Sequence, residues 1–163
     1  MGRLWWCEVG DWALWSGEVY GPHNSQHLVD PYTFTHILHG IGLYAVLWTL
    51  LKSLVTPVSR AVIALSIESA WEVVENTNSV IQRYREATIS LGYYGDTIAN
   101  SVADILACAG GYVWAMWIPV WASSVGFVLL EVTLLIWIRD SLLLNILMLI
   151  RPVEAIRSWQ SGG

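Results

Sequence analysis

Four predominantly apolar stretches, at 32–55, 58–78, 95–117 and 120–138, follow one another along the chain. Each is close to the ~20 residues an α-helix needs to cross ~30 Å of hydrocarbon. In such a medium every backbone N–H and C=O must be satisfied within its own segment, and for runs of this length that leaves the helix. The expectation is an all-α fold: a polytopic transmembrane helix bundle of about four spans, plus a C-terminal interfacial helix. Pro31 precedes the first span, Pro57 the second, and Pro119 marks the turn before the fourth. The apolar run 142–150 is too short to cross and is stopped by Pro152. Three regions result: a polar-aromatic membrane-surface cap over 1–31, a four-helix transmembrane bundle over 32–138, and an interfacial helix and tail over 139–163.

Composition supports a membrane setting. Of 163 residues, 55% are hydrophobic and only 13% charged, where soluble domains carry about 25% charged residues. Eleven tryptophans suit a chain with two membrane–water interfaces, where indole rings collect. Trp5, Trp6, Trp12 and Trp15 would anchor the cap, and Trp114, Trp117 and Trp121 the opposite interface. A net charge of −5 argues against nucleic acid as a partner, because that requires a basic stripe. Two cysteines are too few for a disulfide framework, and Cys108, in an apolar run, reads as a packed thiol. No signal peptide, phosphate-cradling glycine loop, nucleophile elbow or HExxH motif is visible.

Ionisable groups inside spans are costly and are functional candidates by default. The first span carries His36 and His39, and the second Glu68, Glu72, Glu75 and Asn76. The third carries Asp96, Asn100 and Asp104, and the fourth carries Glu131 and ends at Arg139-Asp140. Spacings of three and four keep side chains on one helical face, so each set forms a stripe. Alternating crossings then bring all the stripes to the same half of the membrane. Glu68, Glu72, Asp96, Asp104 and Glu131 face two histidines with no lysine or arginine among them. Buried like charges cannot all stay ionised without compensation. Either several are protonated or a divalent cation is bound. Imidazole and carboxylate on facing helices suit zinc, iron or manganese.

Plainer readings stand beside this one. Asp96 after Gly95 has the position of a helix cap. Glu75 and Asn76 read equally well as solvated groups at a helix end. The histidines, and the cluster as a whole, read also as polar glue between helices. His23 and His27 read as surface residues or as a lid. Gly110-Gly111 would permit close helix contact.

Several motifs occur in a fixed order: Asn24-Ser25-Gln26-His27, Thr35-His36-Ile37-Leu38-His39-Gly40, Trp71-Glu72-Val73-Val74-Glu75-Asn76, Arg83-Tyr84-Arg85, Tyr93-Tyr94-Gly95-Asp96, Asn100-Ser101-Val102-Ala103-Asp104 and Ile138-Arg139-Asp140. Together they resemble a bacterial inner-membrane family of unknown function, over nearly the whole chain. The resemblance carries no activity. Asp96 and Asn100 are also weakly similar to a pattern in VanZ-like membrane proteins. Family members usually have a further apolar helix ahead of the position of Met1. They also tend to show Cys-x-Cys where this chain has Cys7-Glu8-Val9, a departure that counts against a metal or redox role for Cys7.

The leading expectation is an intramembrane metal-dependent hydrolase or phosphotransfer enzyme acting on a lipid. His36, His39, Glu68, Glu72, Asp96 and Asp104 are the metal ligands. Glu75, Asn100 and Glu131 are the catalytic candidates, one carboxylate serving as general base. Arg83, Arg85 and Arg139, on the same side, would hold an anionic head group, or are ordinary loop charges. The alternatives are a proton- or ion-binding transporter and a non-enzymatic assembly factor, alone, as a homo-oligomer or with a membrane partner. The expected location is the bacterial inner membrane. Arginine counts alone would place the polar site in the cytoplasm by the positive-inside rule. The upstream helix of the family would instead turn it to the periplasm, and the periplasm is the expectation adopted.

Overall fold

The computed structural model describes residues 2–88 and 90–162. Among these residues the chain forms helices α1 (Thr33–Leu51), α2 (Pro57–Glu75), α3 (Asn78–Ala87), α4 (Ile98–Trp117), α5 (Val120–Trp137), α6 (Leu142–Ile150) and α7 (Glu154–Gln160). Residues 2–31 form no helix and carry an isolated bridge between Trp15 and Val29.

Helix boundaries follow local chemistry. α2 starts where the Thr56 hydroxyl accepts from Ser59 N–H at 3.1 Å, with Pro57 in the first turn, where its missing N–H costs nothing. α4 is capped by Thr97, whose hydroxyl accepts from Asn100 N–H at 3.2 Å. Asp96 is therefore not the cap, and its carboxylate is left for other partners. Ser141 caps α6, accepting from Leu144 N–H at 3.4 Å.

Three helices, α1, α4 and α5, are long and apolar enough to cross a membrane. The segment expected as a fourth span forms helix α2, which at 19 residues matches α1 in length but is not apolar enough to count with the other three. Its composition falls short because Arg60, Glu68, Glu72 and Glu75 lie within it. Arg60 is itself buried and donates to the Val55 carbonyl at 3.1 Å, so α2 does carry a cation. It sits eight residues before Glu68, about 12 Å along the helix. Two short helices were not anticipated. α3 occupies part of the connection between α2 and α4, and α7 part of the tail.

α1 and α4 approach most closely. A Cβ added to Gly40 would lie 2.6 Å from the Tyr112 amide nitrogen, and one on Gly111 would lie 2.8 Å from the Ile37 carbonyl carbon. Gly110, by contrast, faces open space. Leu47, Ala64 and Tyr112 make an apolar core at one end of the bundle. At the other end Leu38, Ile41, Leu134, Ile138 and Leu142 join Val19 of the cap. Between α1, α2 and α4 at that end, the interior is polar. Trp117 and Trp121 are exposed at the α4–α5 turn, where interface anchors belong.

Candidate metal centre in the bundle

α1 enters the bundle just after Asp30. One Asp30 oxygen accepts from the N–H groups of Tyr32 (2.7 Å) and Thr33 (3.1 Å), satisfying donors of the first turn. Burial pushes this carboxyl up to about 6 against those stabilising bonds. One turn further, His36 and His39 point from the same face toward α2. His36 Nδ1 lies 2.6 Å from Glu68 Oε1, and His39 Nδ1 lies 3.1 Å from both Glu68 oxygens. Glu72, one turn along α2, has Oε1 3.4 Å from His36 Nδ1. Asp104 of α4 brings Oδ2 to 3.8 Å from His36 Nε2. The imidazole of His36 therefore stands between the α2 and α4 carboxylates.

Ligand atoms of His36, His39 and Glu68 all lie within 4.8 Å of one another, as do those of His36, Glu72 and Glu75. His36 belongs to both groups. Glu68, Glu72 and Asp104 are buried. Both oxygens of Glu72 and Oδ1 of Asp104 lack a hydrogen-bond partner within the protein, an unusual condition for buried acceptors. Two imidazoles and several oxygen donors, some unsatisfied, fit a divalent cation of the zinc, iron or manganese class.

Asp96 is placed differently from the other expected ligands. Asn76 and Asp96 exchange two hydrogen bonds of 2.7 Å, side chain to side chain and backbone N–H to side-chain oxygen. Tyr93 Oη donates to the other Asp96 oxygen at 2.9 Å. Asn76, read from the sequence as equally well solvated, is buried and locks the end of α2 to the start of α4. Arg3 grips the same turn from the cap, donating to the carbonyls of Asp96 (2.9 Å) and Tyr94 (2.6 Å). Gly95 allows that turn, with a φ of +94° that an L side chain would strain.

The cluster borders a cavity of about 60 Å³, room for an ion with a few waters or a small polar group. Its walls are His36, His39, Glu75, Asp96 and Asp104, the cap residues Asn24 and Ser25, and an apolar side made by Trp71, Leu142, Ile146 and Leu149.

The remaining expected site residues do not gather there. Asn100 donates from Nδ2 to the His27 carbonyl at 2.9 Å, fastening the cap to α4. Glu131 is buried on α5 and accepts from Leu143 N–H at 3.4 Å, serving the start of α6. Arg83 donates to the Leu149 carbonyl at 2.9 Å and Arg139 to the Trp159 carbonyl at 3.1 Å. Arg85 donates to the Tyr93 carbonyl. All three arginines thus brace connections around the site. The residues that sequence reasoning missed, Asp30, Tyr93 and Arg3, lie in irregular segments where no periodicity marks a face. His27, read as a surface or lid residue, is fully buried.

Comparison with known proteins supplies the family. The model described as "Protein of unknown function (DUF2585)" matches residues 1–162. A UPF0314 protein of Paracoccus denitrificans is 49% identical over 165 residues, spanning 99% of this chain and 83% of its own. One from Sinorhizobium fredii is 48% identical, spanning 99% and 82%, and one from Sphingopyxis alaskensis is 43% identical, spanning 100% and 86%. No solved structure matches. With its three apolar membrane-length helices and its whole length matched, the chain belongs to the DUF2585 family, whose curated relatives carry the name UPF0314.

Proposed function

We propose that this protein is a metal-dependent hydrolase or phosphotransfer enzyme acting on a membrane lipid, with its centre on the periplasmic side of the bacterial inner membrane. One observation carries the reading. Buried Glu72 and Asp104 present unpartnered oxygens on either side of His36, and His36 and Asp104 line a cavity that is polar on one side and apolar on the other. His36, His39, Glu68 and Glu72 are the holding set, with Asp104 reaching in from α4. A divalent ion there would polarise a phosphoryl or carbonyl oxygen and acidify a water. Glu75, half-buried in the cavity wall, is the carboxylate placed to take a proton. Asp96, tied to Asn76 and Tyr93, orients the α2–α4 junction. Asn100 keeps the cap seated. Head-group binding by Arg83, Arg85 or Arg139 would require each to release its carbonyl partner, so these residues are assigned to bracing.

The test is metal content and turnover of lipid phosphates by the full chain in liposomes. The reading expects stoichiometric metal, activity lost with chelator, and sharply lower occupancy in His39→Ala and Glu72→Gln, because ligands of one ion act as a unit. A protein that is metal-free, takes none up and ignores chelator rules it out. If Glu72→Gln and Asp104→Asn are also more stable than the wild type, the cluster is helix-packing glue. Cation flux in the same liposomes without turnover would instead favour the ion-carrying alternative.

A further inference from the structure

A second group of ligand-type side chains lies outside the bundle cluster, in the cap. Cys7 Sγ is 3.6 Å from His23 Nδ1, and His23 Nδ1 is 2.9 Å from His27 Nε2. The three atoms fall within 4.8 Å of one another. Cys7 and His27 are buried and His23 is partly so. His23 and His27 are four apart, a ligand spacing that recurs in zinc sites.

Two features prepare the group for an ion. The other ring nitrogen of His27, Nδ1, faces the Ala13 carbonyl at 2.7 Å. A carbonyl only accepts, so Nδ1 carries the proton and Nε2 presents its lone pair toward His23 and Cys7. This outer-shell bond is the one that metal-bound histidines usually make. The backbone is also held in place. The Leu4 and Trp5 carbonyls accept from Ile98 and Ala99 N–H at the start of α4, at 2.9 and 3.3 Å. The Gln26 side chain donates to the Gly95 carbonyl at 2.8 Å. Cys7 and the histidine loop are thus both anchored to the same helix end.

We propose that Cys7, His23 and His27 bind one zinc-class divalent ion that clasps the N-terminal cap over the bundle. Zinc–nitrogen and zinc–sulfur bonds at tetrahedral angles place two nitrogens about 3.3 Å apart, and a nitrogen and a sulfur about 3.6 Å apart. The Cys7–His23 separation already matches. The His23–His27 separation must open by about 0.4 Å, within a side-chain rotation. Three protein ligands leave the fourth position to water. The clasp flanks Asn24 and Ser25, which line the bundle cavity, so it fixes one wall of that cavity. It does not depend on metal in the bundle. The absence of Cys-x-Cys, which counted against Cys7 in the sequence, is made good by two histidines folded in from 16 and 20 residues downstream.

The test uses the full chain in detergent, stripped by chelator and titrated with cobalt(II). As the sites fill, a near-ultraviolet thiolate-to-cobalt charge-transfer band should grow to the intensity of one thiolate ligand per chain. The band should be lost in Cys7→Ser and His23→Ala and kept in His39→Ala and Glu72→Gln. Cobalt bound only in the bundle would give ligand-field absorption without that band or, through Cys108 beside Glu68, a band that survives Cys7→Ser. A second measurement needs no variant. Zinc should slow alkylation of Cys7 in the wild type, read by peptide mass spectrometry, by about tenfold or more. No thiolate band in the wild type, a band that survives Cys7→Ser, or an unchanged alkylation rate would each overturn the proposal.

Discussion

Replacing Gly111 with alanine should separate α1 from α4 and disable the bundle centre. The added methyl would sit 2.8 Å from the Ile37 carbonyl carbon, and nearer still to its oxygen. Both are backbone atoms in mid-helix, so neither can rotate away. Ordinary contact begins near 3.4 Å, so relief requires the helices to part by on the order of 1 Å, a strain that typically costs about 1–3 kcal/mol. The displacement acts one residue from His36, whose contact with Asp104 across the same interface is 3.8 Å. A shift of that size at a reacting centre can cost on the order of a hundredfold in rate. Gly110→Ala is the control, because its methyl meets nothing within 4 Å. It should be neutral or stabilising by up to about 1 kcal/mol through helix propensity. The assay is thermal unfolding in detergent of the wild type and both variants, with metal affinity alongside. Equal stability and metal binding for Gly111→Ala and Gly110→Ala would refute the close-contact argument.

Asp140 gives a pH signature outside the spans. Burial raises its carboxyl to about 6, against bonds from Ser141, Asn145 and Tyr32. The folded state thus holds this proton to higher pH than the unfolded chain does, and stability falls as pH rises from about 4 through 6, by roughly 3 kcal/mol in total. Asp140→Asn should flatten that part of the stability–pH curve, and an unchanged slope would show that other groups produce it. Glu131→Ala should leave metal uptake at the wild-type level while costing about 1 kcal/mol through the loss of its contact with the α6 start; reduced metal occupancy would bring Glu131 into the centre. If α2 crosses with the three apolar helices, membrane-impermeant labelling should find residues 7 and 160 on the same face, and labels on opposite faces would remove one crossing.

The helical class, the breaks between the long helices, and the meeting of His36, His39, Glu68, Glu72 and Asp104 were all legible in the chain. These are consequences of local periodicity. Apolar runs of one length impose helices, spacings of three and four impose a face, and alternating direction imposes a common level. Gly111 as a close-contact residue was legible in the same way, although Gly110 beside it turned out to face open space. Tertiary structure alone decided what the irregular segments do. Asp96 reads as a cap until Thr97 is seen in that role, and its exchange with Asn76 spans 20 residues through α3 and a glycine turn. Arg83, Arg85 and Arg139 read as head-group ligands because charge alone does not reveal which carbonyl an arginine will meet. Glu131 shares the depth of the other carboxylates but faces α6, since the rotation of α5 depends on its packing partners. Cys7, His23 and His27 belong to no helix, so no repeat announces them. Only the docking of both cap segments around the start of α4, the Leu4 and Trp5 carbonyls on its first turn and the Gln26 side chain on Gly95 just before it, brings their ligand atoms together.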